Sequence, residues 1–531
     1  VHGGTQAEGV ETANSQGSVD NQSGGSITVS SSSGPVVGAL FSNGMTFEND
    51  GTFTVNGSGV DHGVETNRGE LSGPTYAYGT FVNSGQFTVT GAAASIGLYM
   101  TGSAPSPNTL VPSGQYNVIN SGTLTAPIAI EFAYSLPAAI DNSGTINGAV
   151  VLSSYNDVLL NTGTINGAVN LGAGNDTLIS TAGTINGTIT LGAGAKTVTL
   201  GAANNTVVLG SGDDAADGGG GTNTAWFANA TAGVTVNLTL QGSGQNTIGA
   251  GTDTLNNFQN LTGSAYNDTL QGDANNNVLD GGGGINTVSY AGATSGVTVS
   301  LGLQGSSQNT VGAGTDTLIN FRNLTGSAYN DTLQGDANNN VLDGAGGTNT
   351  VSYAGASAGV TVSLGLQGQA QNTVGAGTDT LSNFQNLIGS SHNDTLTAGT
   401  GAESLTGGLG ADTFVFKPGA GADVVTDFSD AQGDRIDLSS FSGLYAWSQV
   451  TALIAQSGSN TVISLPAGGA VTLDNVQASS LTSADFILSP SSYSPIQVTG
   501  VYTVGVGQNL TFSGSNGGLG AYDLTKAEAK S

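Results

Sequence analysis

Apolar and polar residues alternate in short bursts along this chain, and the bursts recur on fixed periods. In residues 1–130 the unit is an apolar residue, an Asn, a Gly turn, and then alternating apolar and polar positions. It reads Val19-Asp-Asn21-Gln-Ser-Gly-Gly-Ser-Ile27-Thr-Val29, Phe47-Glu-Asn49-Asp-Gly51-Thr-Phe53-Thr-Val55, Val82-Asn83-Ser-Gly85-Gln-Phe87-Thr-Val89 and Ile119-Asn120-Ser-Gly122-Thr-Leu124. Period-2 alternation after a tight turn predicts one strand per unit. The spacing is irregular, so loops of varied length are expected to bulge from the coils. From Ile140 the period tightens. Gly144-Thr-Ile-Asn-Gly, Gly163-Thr-Ile-Asn-Gly and Gly183-Thr-Ile-Asn-Gly follow one another at nearly constant spacing. That spacing is about one coil of a parallel β-helix, in which inward Ile and Val stack roughly 4.8 Å apart. Asn residues at equivalent turns then stack into an amide ladder along the axis.

Between about Leu200 and Val415 the period becomes nine. Gly263-Ser-Ala-Tyr-Asn-Asp268-Thr-Leu270-Gln is followed by Gly272-Asp-Ala-Asn-Asn-Asn277-Val-Leu279-Asp and Gly281-Gly-Gly-Gly-Ile-Asn286-Thr-Val288-Ser. Position one is Gly, position six Asp or Asn, and position eight aliphatic. The frame returns at Gly326 to Ser352 and at Gly389 to Val415. A larger repeat encloses it. The step from Asp268 to Asp331 equals that from Asp331 to Asp394, and the same step separates Asp217, Asp280 and Asp343, and again Asp253, Asp316 and Asp379. Three marks on one spacing identify a repeat array, and such arrays form elongated solenoids. Three nonapeptides fill part of each large repeat. The remainder, for example Tyr290 to Thr325, contains the strand-like Gly296-Val-Thr-Val-Ser-Leu301 and is compatible with two further coils or with a hairpin excursion.

Composition narrows the picture. The 531 residues include 87 Gly but only 8% charged residues, so long helices are not expected. The formal net charge is −29, and 20 of the 36 acidic residues fall between Asp213 and Asp437, inside the repeats. The cations Arg68, Lys196, Arg322, Lys417, Arg435, Lys526 and Lys530 form no patch, which argues against nucleic acid as a partner. Divalent cations are the natural counter-charge; acidity that serves only solubility is the competing account. No cysteine is present, which removes disulfide and thiolate chemistry. No apolar run is long enough to span a bilayer, and Val1 is not followed by a secretory signal pattern.

The nonapeptides fit the pattern G-G-x-G-x-D-x-U-x, completely at Gly407-Gly-Leu-Gly-Ala-Asp412-Thr-Phe414-Val. With the Tyr-Ala-Gly-Ala…Gly-Val-Thr-Val linkers and the closing Asp-Arg-Ile-Asp-Leu-Ser, they resemble the RTX (repeats-in-toxin) family. The likeness is greatest to the C-terminal region that serralysin-type proteases share with other type I secreted proteins, and it covers about Gly201 to Leu488. The Gly-Thr-Ile-Asn-Gly coils resemble β-helical passenger regions of secreted adhesins and autotransporters. Together these imply an all-β, right-handed parallel β-solenoid, a β-helix continuing into a calcium-binding β-roll with a small C-terminal cap. The divisions expected are an irregular β-helix (1–139), regular coils (140–200), the roll (201–415), a capping region (416–488) with one short helix or cap at Trp447, Val450 and Leu453, and a strand-forming tail (489–531). The resemblance further implies Ca2+ between the Gly-rich turns, export to the extracellular space or bacterial surface without an N-terminal signal, and folding outside the cell.

The resemblance places metal ligands at Asp268, Asp273, Asn277, Asp280, Gly281, Gly283 and Asn286, at Asp331, Asp336, Asn340, Asp343 and Asn349, and at Asp394, Gly407, Gly410 and Asp412. Turn carbonyls and position-six carboxylates suit a hard cation. Two carboxylates about 5 Å apart repel by roughly 3 kcal/mol at an effective dielectric near 20, so a pure Asp ladder needs its metal. Here position six is often Asn, an oxygen without charge, so fewer or weaker sites are expected; a metal-free Asn/Gly-turned helix is the alternative. Catalysis finds little support. His2, His62 and His392 sit in no H-E-x-x-H, cysteine nucleophiles are excluded, and cationic residues that would bind an acidic sugar are scarce. The expected function is a structural protein that polymerises with itself into a filament, surface layer or matrix. A monomeric adhesin that binds cell-surface polysaccharide or other glycans through the loops of 1–130 is the second reading, and a polysaccharide-acting enzyme the third.

Overall fold

In a computed structural model the described residues are 7–12, 18–31, 36–42, 46–57, 59, 61–67, 80–100, 117–132, 137–466 and 468–490. The chain divides into two compact units, Val1–Ser489 and Pro490–Ser531. The tail strand expected at Ile496–Val504, and most of the loops expected to bulge from residues 1–130, lie outside the described residues.

The first unit is a stack of parallel coils. Near its start each coil has three strands: Ser18–Asn21, Ser26–Ser30 and Val36–Ser42 are followed by Thr46–Asn49, Thr52–Asn56 and His62–Asn67, each pairing in parallel with its counterpart. Like residues therefore lie on like. Phe47 stacks on Phe81 at 5.5 Å between centroids and Phe53 on Phe87 at 4.9 Å, with edge-on contacts between the two columns. Beside them runs a buried amide column. The Nδ2 of Asn21 donates to Oδ1 of Asn49, and so on through Asn83, Asn120 and Asn142 to Asn161, each bond 2.7 Å long; Asn161 then donates to the Ser180 hydroxyl. A buried amide is tolerated only when its donors and acceptor are met, and coil stacking meets them at every level. From Ile140 the coils shorten, and Ile146, Ile165 and Ile185 stack in register, as their spacing predicts. A second, surface column runs back from Asn186 to Asn166 to Asn147.

Past Thr206 each coil has two three-residue strands in facing sheets, with one inward side chain apiece, such as Leu270, Leu279 and Val288, all fully buried. Among the described residues the strands form sheets of 19, 11, 7, 9 and 5 members. The insert between nonapeptide blocks proves to be neither of its two expected forms alone. Thr298–Ser300 runs ahead and opens a new sheet. A 3-10 turn (Leu301–Leu303) leads back into Ser307–Asn309, which pairs antiparallel with Thr315–Ile319 and closes the old sheet. Thr298 N–H reaches Thr310 O at 3.1 Å, and the side-chain amide of Gln308 bonds the N–H and C=O of Ser300 at 2.8 and 3.0 Å. Gln371 repeats this on Ser363.

Between one insert and the next, five parallel strands alternate between the two faces: Thr315–Ile319 (19-stranded sheet), Thr332–Gln334 and Thr350–Ser352 (9-stranded sheet) on one, Asn323–Thr325 and Val341–Asp343 (7-stranded sheet) on the other. Five is odd, so successive inserts fall on opposite faces. Accordingly Thr252–Asn256, Thr315–Ile319 and Thr378–Ser382, each one large repeat from the next, lie in the 11-, 19- and 7-stranded sheets. The stack ends in a short helix, Trp447–Thr451, and an antiparallel hairpin, Ile454–Ser457 with Asn460–Ser464, added to Ala470–Leu473. The ring of Trp447 rests on Phe486 in the last strand. No helix among the described residues is long and apolar enough to cross a membrane.

Candidate metal-binding turns

Position six joins each turn to the next. Its backbone N–H donates to the Oδ1 of the position-six residue one coil on: Asp268 to Asn286 (2.9 Å), Asp331 to Asn349 (3.0 Å), Asp394 to Asp412 (2.8 Å) and Asp412 to Asp434 (2.9 Å). On the opposite row Asn277 donates to Asp316 and Asn340 to Asp379, both at 3.0 Å. Asp and Asn share Oδ1, which is why either sustains the ladder. They differ at the second atom, where Asn brings two N–H donors and Asp an acceptor.

The repeat supplies its own control at Asn223, Asn286, Asn349 and Asp412, equivalent positions of successive large repeats. The Nδ2 of Asn223 donates to the carbonyls of Gly218, Gly220 and Asn257 at 3.0 Å. Asn286 donates to Asn320 O, and Asn349 to Gly346 O and Asn383 O, at the same distance. These donors satisfy turn oxygens. Asp412 brings an oxygen instead, and its buried Oδ2 has no hydrogen-bond partner. Burial pushes the Asp412 carboxyl up to about 7, with the charges of Asp394, Asp434 and Asp427 adding to it. Asp423, also with an unpartnered Oδ2, is pushed up to about 7 by burial and by the charge of Glu403, whose own N–H donates to it at 3.1 Å. Buried acids that repel one another, with an oxygen left over, fit a cation. Gly407 is part of the cradle: a Cβ there would overlap the Asp412 carboxylate. Gly410, at φ 125°, passes hard against the backbone of His392.

The other residues expected to bind metal are placed as follows. Asp268, Asp331 and Asp394 are buried and each already takes three protein donors: the N–H and hydroxyl of Ser264, Ser327 or Ser390, and the N–H of Val234, Val297 or Val360. Asn277 and Asn340 accept from the N–H of Asp273 and Asp336 and donate to Gln259 O and Arg322 O. Asp273 and Asp336 fold onto Asn275 and Asn338 in their own turns. Asp280 and Asp343 sit at strand ends, accepting from Asn320 and Asn383 at 2.7 Å. Gly281 backs onto the Asn286 amide and Gly283 onto Ala265. Consecutive nonapeptides feed different sheets, so Asp268 and Asn277 belong to opposite rows.

Sequence reasoning left several ladder members out of the site: Asp157, Asp176, Asp214, Asp253, Asp316, Asp379, Glu403, Asp423 and Asp434. The long period marked Asp253, Asp316 and Asp379, whereas the others follow one another at unequal steps. Burial pushes Asp157 and Asp253 up to about 7 and Asp176, Asp214, Asp316 and Asp379 up to about 6. The long-period mark at Asp316 and Asp379 is a buried pair: Tyr290 and Tyr353 donate their hydroxyls to these carboxylates at 3.1 and 3.0 Å. Among the described residues no three His, Asp or Glu side chains converge on one point, so a calcium ion here would draw most of its ligands from turn carbonyls.

Comparison with known proteins adds a family match. The RTX calcium-binding nonapeptide repeat, in 4 copies, matches residues 191–225, 259–288, 323–351 and 388–425. No curated protein sequence matches the chain. Among solved structures, a subunit (AlgE6R3) of the mannuronan C5-epimerase of Azotobacter vinelandii is 22% identical, over 35% of this chain and 91% of that one, with a TM-score of 0.19. The extracellular lipase LipA of Serratia marcescens is 16% identical, over 67% of this chain and 40% of that one, with a TM-score of 0.17. The chain thus carries RTX repeats, a nonapeptide that binds Ca2+, on a parallel β-solenoid.

Proposed function

We propose that this is a secreted structural protein whose calcium-loaded roll assembles with copies of itself into an extracellular filament, layer or matrix. Calcium is assigned first to the block Asp412, Asp427 and Asp434 with the carbonyls of its turns, where Asp412 Oδ2 is unpartnered, and then to Glu403 and Asp423. Its contribution there is positive charge and oxygen coordination between stacked turns. The chain's own residues set the turn, exclude water and hold the carboxylates in register. Asp268, Asp331, Asp394, Asn277, Asn286, Asn340 and Asn349 belong to the same rows as weaker candidates, because protein groups already meet their side chains.

One observation carries the assembly half. Each repeat exposes a β-branched aliphatic residue at its hairpin tip: Ile248, Val311 and Val374 are 65, 68 and 69% exposed and hold φ near +65°. A β-branched residue in that region is strained by about 1–3 kcal/mol, and such strain clusters where function requires it. Leu240, Leu303 and Leu366 stand exposed at the same period. A periodic apolar display suits a periodic partner, and another copy of the same solenoid is one. Electron microscopy and sedimentation of the purified chain, with calcium and with chelator, provide the test. Ordered polymers that need calcium support the proposal; single chains at every concentration overturn it.

A further inference from the structure

One ladder position carries a lysine between two aspartates. In the turns Gly172-Ala-Gly-Asn-Asp176, Gly192-Ala-Gly-Ala-Lys196 and Gly210-Ser-Gly-Asp-Asp214 the middle coil carries lysine. Its side chain does not escape to solvent: that of Lys196, like that of Asp176, is 0% exposed. The ammonium turns back into the gap between two stacked turns. There Nζ donates to Gly174 O of the preceding turn at 2.6 Å, to Ala193 O, and to Gly194 O at 3.4 Å, and it pairs with Asp176 Oδ2 at 3.2 Å. The backbone N–H of Lys196 meanwhile donates to Asp214 Oδ1 at 3.0 Å, so the ladder resumes beyond the lysine. Turn carbonyls and one position-six carboxylate, all oxygens and drawn from two coils, are the donor set that a hard cation takes.

We propose that the Lys196 ammonium is a tethered substitute for a divalent ion, so that the step between turns 172–176 and 192–196 is held without metal. An ammonium has three donors and no acceptor, and three carbonyls and a carboxylate surround it. A fully buried lysine persists only when paired and hydrogen-bonded, and this one is. The coils up to Asp214 then form a metal-independent seed on which the calcium-dependent coils, ending in the unpartnered oxygens of Asp412 and Asp423, are laid. The inference rests on the calcium reading of the later turns but uses residues apart from them.

The test compares the full chain with Lys196→Met, Lys196→Asp and the double variant Asp176→Asn/Lys196→Met. Melting is followed by circular dichroism in chelator, and calcium uptake by calorimetry. Lys196→Met strands the Asp176 carboxylate, so in chelator its melting temperature falls by roughly 5 °C or more, and the double variant regains most of that loss. Lys196→Asp makes the turn like its neighbours: it is destabilised in chelator, recovered by calcium, and binds one more ion than the parent. Unchanged melting of Lys196→Met in chelator overturns the proposal. So does a double variant no better than the single, which would make the lysine mere packing, or a Lys196→Asp chain that neither gains an ion nor responds to calcium. If the parent itself binds no calcium, the reading of the later turns fails while the chelator melts still decide the role of Lys196.

Discussion

Exchanging one atom at position six decides whether a turn closes on itself or leaves an oxygen unmet. Asn349 donates Nδ2 to Gly346 O and Asn383 O, whereas Asp412, one repeat later, has an unpartnered Oδ2. Asp412→Asn is therefore expected to raise the melting temperature in chelator and to shrink the stabilisation gained from calcium, read in paired melts. The pH dependence follows from the same group of acids. Asp157, Asp253, Asp412 and Asp423 are pushed up to about 7, and Asp176, Asp214, Asp316 and Asp379 to about 6, by burial above all. A carboxyl raised on folding favours the folded state below its unfolded value, near 4, and that stability is lost as pH rises through the folded value. The metal-free chain should thus melt at falling temperature from pH 4 to pH 8, and calcium should flatten the upper part of the curve. Position six was legible from its period of nine. Which of its members are saturated was not, because two of the three donors to Asp268, Asp331 and Asp394 are backbone N–H groups, one of them from the distant Val234, Val297 or Val360.

At the scale of strands and turns, the stacking columns test whether coils act together. Asn83→Ala leaves the Asn49 amide without its acceptor and the Asn120 carbonyl without its donor. Two unmet buried groups cost on the order of 3 kcal/mol, measurable by denaturant unfolding; a neutral result would show that water enters the column. The hairpin tips give a different signature. Val311→Gly relieves a φ of 65° and is expected to gain about 1 kcal/mol of stability while weakening assembly, seen by melting and sedimentation together. Much of this level was readable in the sequence. Ile146, Ile165 and Ile185 announced their column by spacing, and Gly296-Val-Thr-Val-Ser-Leu301 announced a strand. The forward-and-back path of the insert was not readable, since it depends on the side-chain amide of Gln308 acting as a peptide group for Ser300. The recurrence of Gln245, Gln308 and Gln371 on the long period was the available signal.

The stacked unit as a whole depends on a parity. Five strands between inserts send successive hairpins to opposite faces, so chain length can change only in even numbers of half-coils. Deleting a pair of nonapeptides, Gly326 to Asp343, should leave melting cooperative and downstream calcium uptake intact. Deleting a single one, Gly326 to Gln334, places every later strand in the wrong sheet and should abolish both, as dichroism and calorimetry would report. Residue spacing made the solenoid visible, but parity requires knowing which strands pair. The buried column from Asn21 to Asn161 adds a sense of direction. Each amide offers its N–H toward the C-terminal coils and its oxygen toward the N-terminal ones, so the column has an arrow. The column closes on the Ser180 hydroxyl inside the stack, so its direction is set within one chain, each rung being oriented by the coil laid down after it.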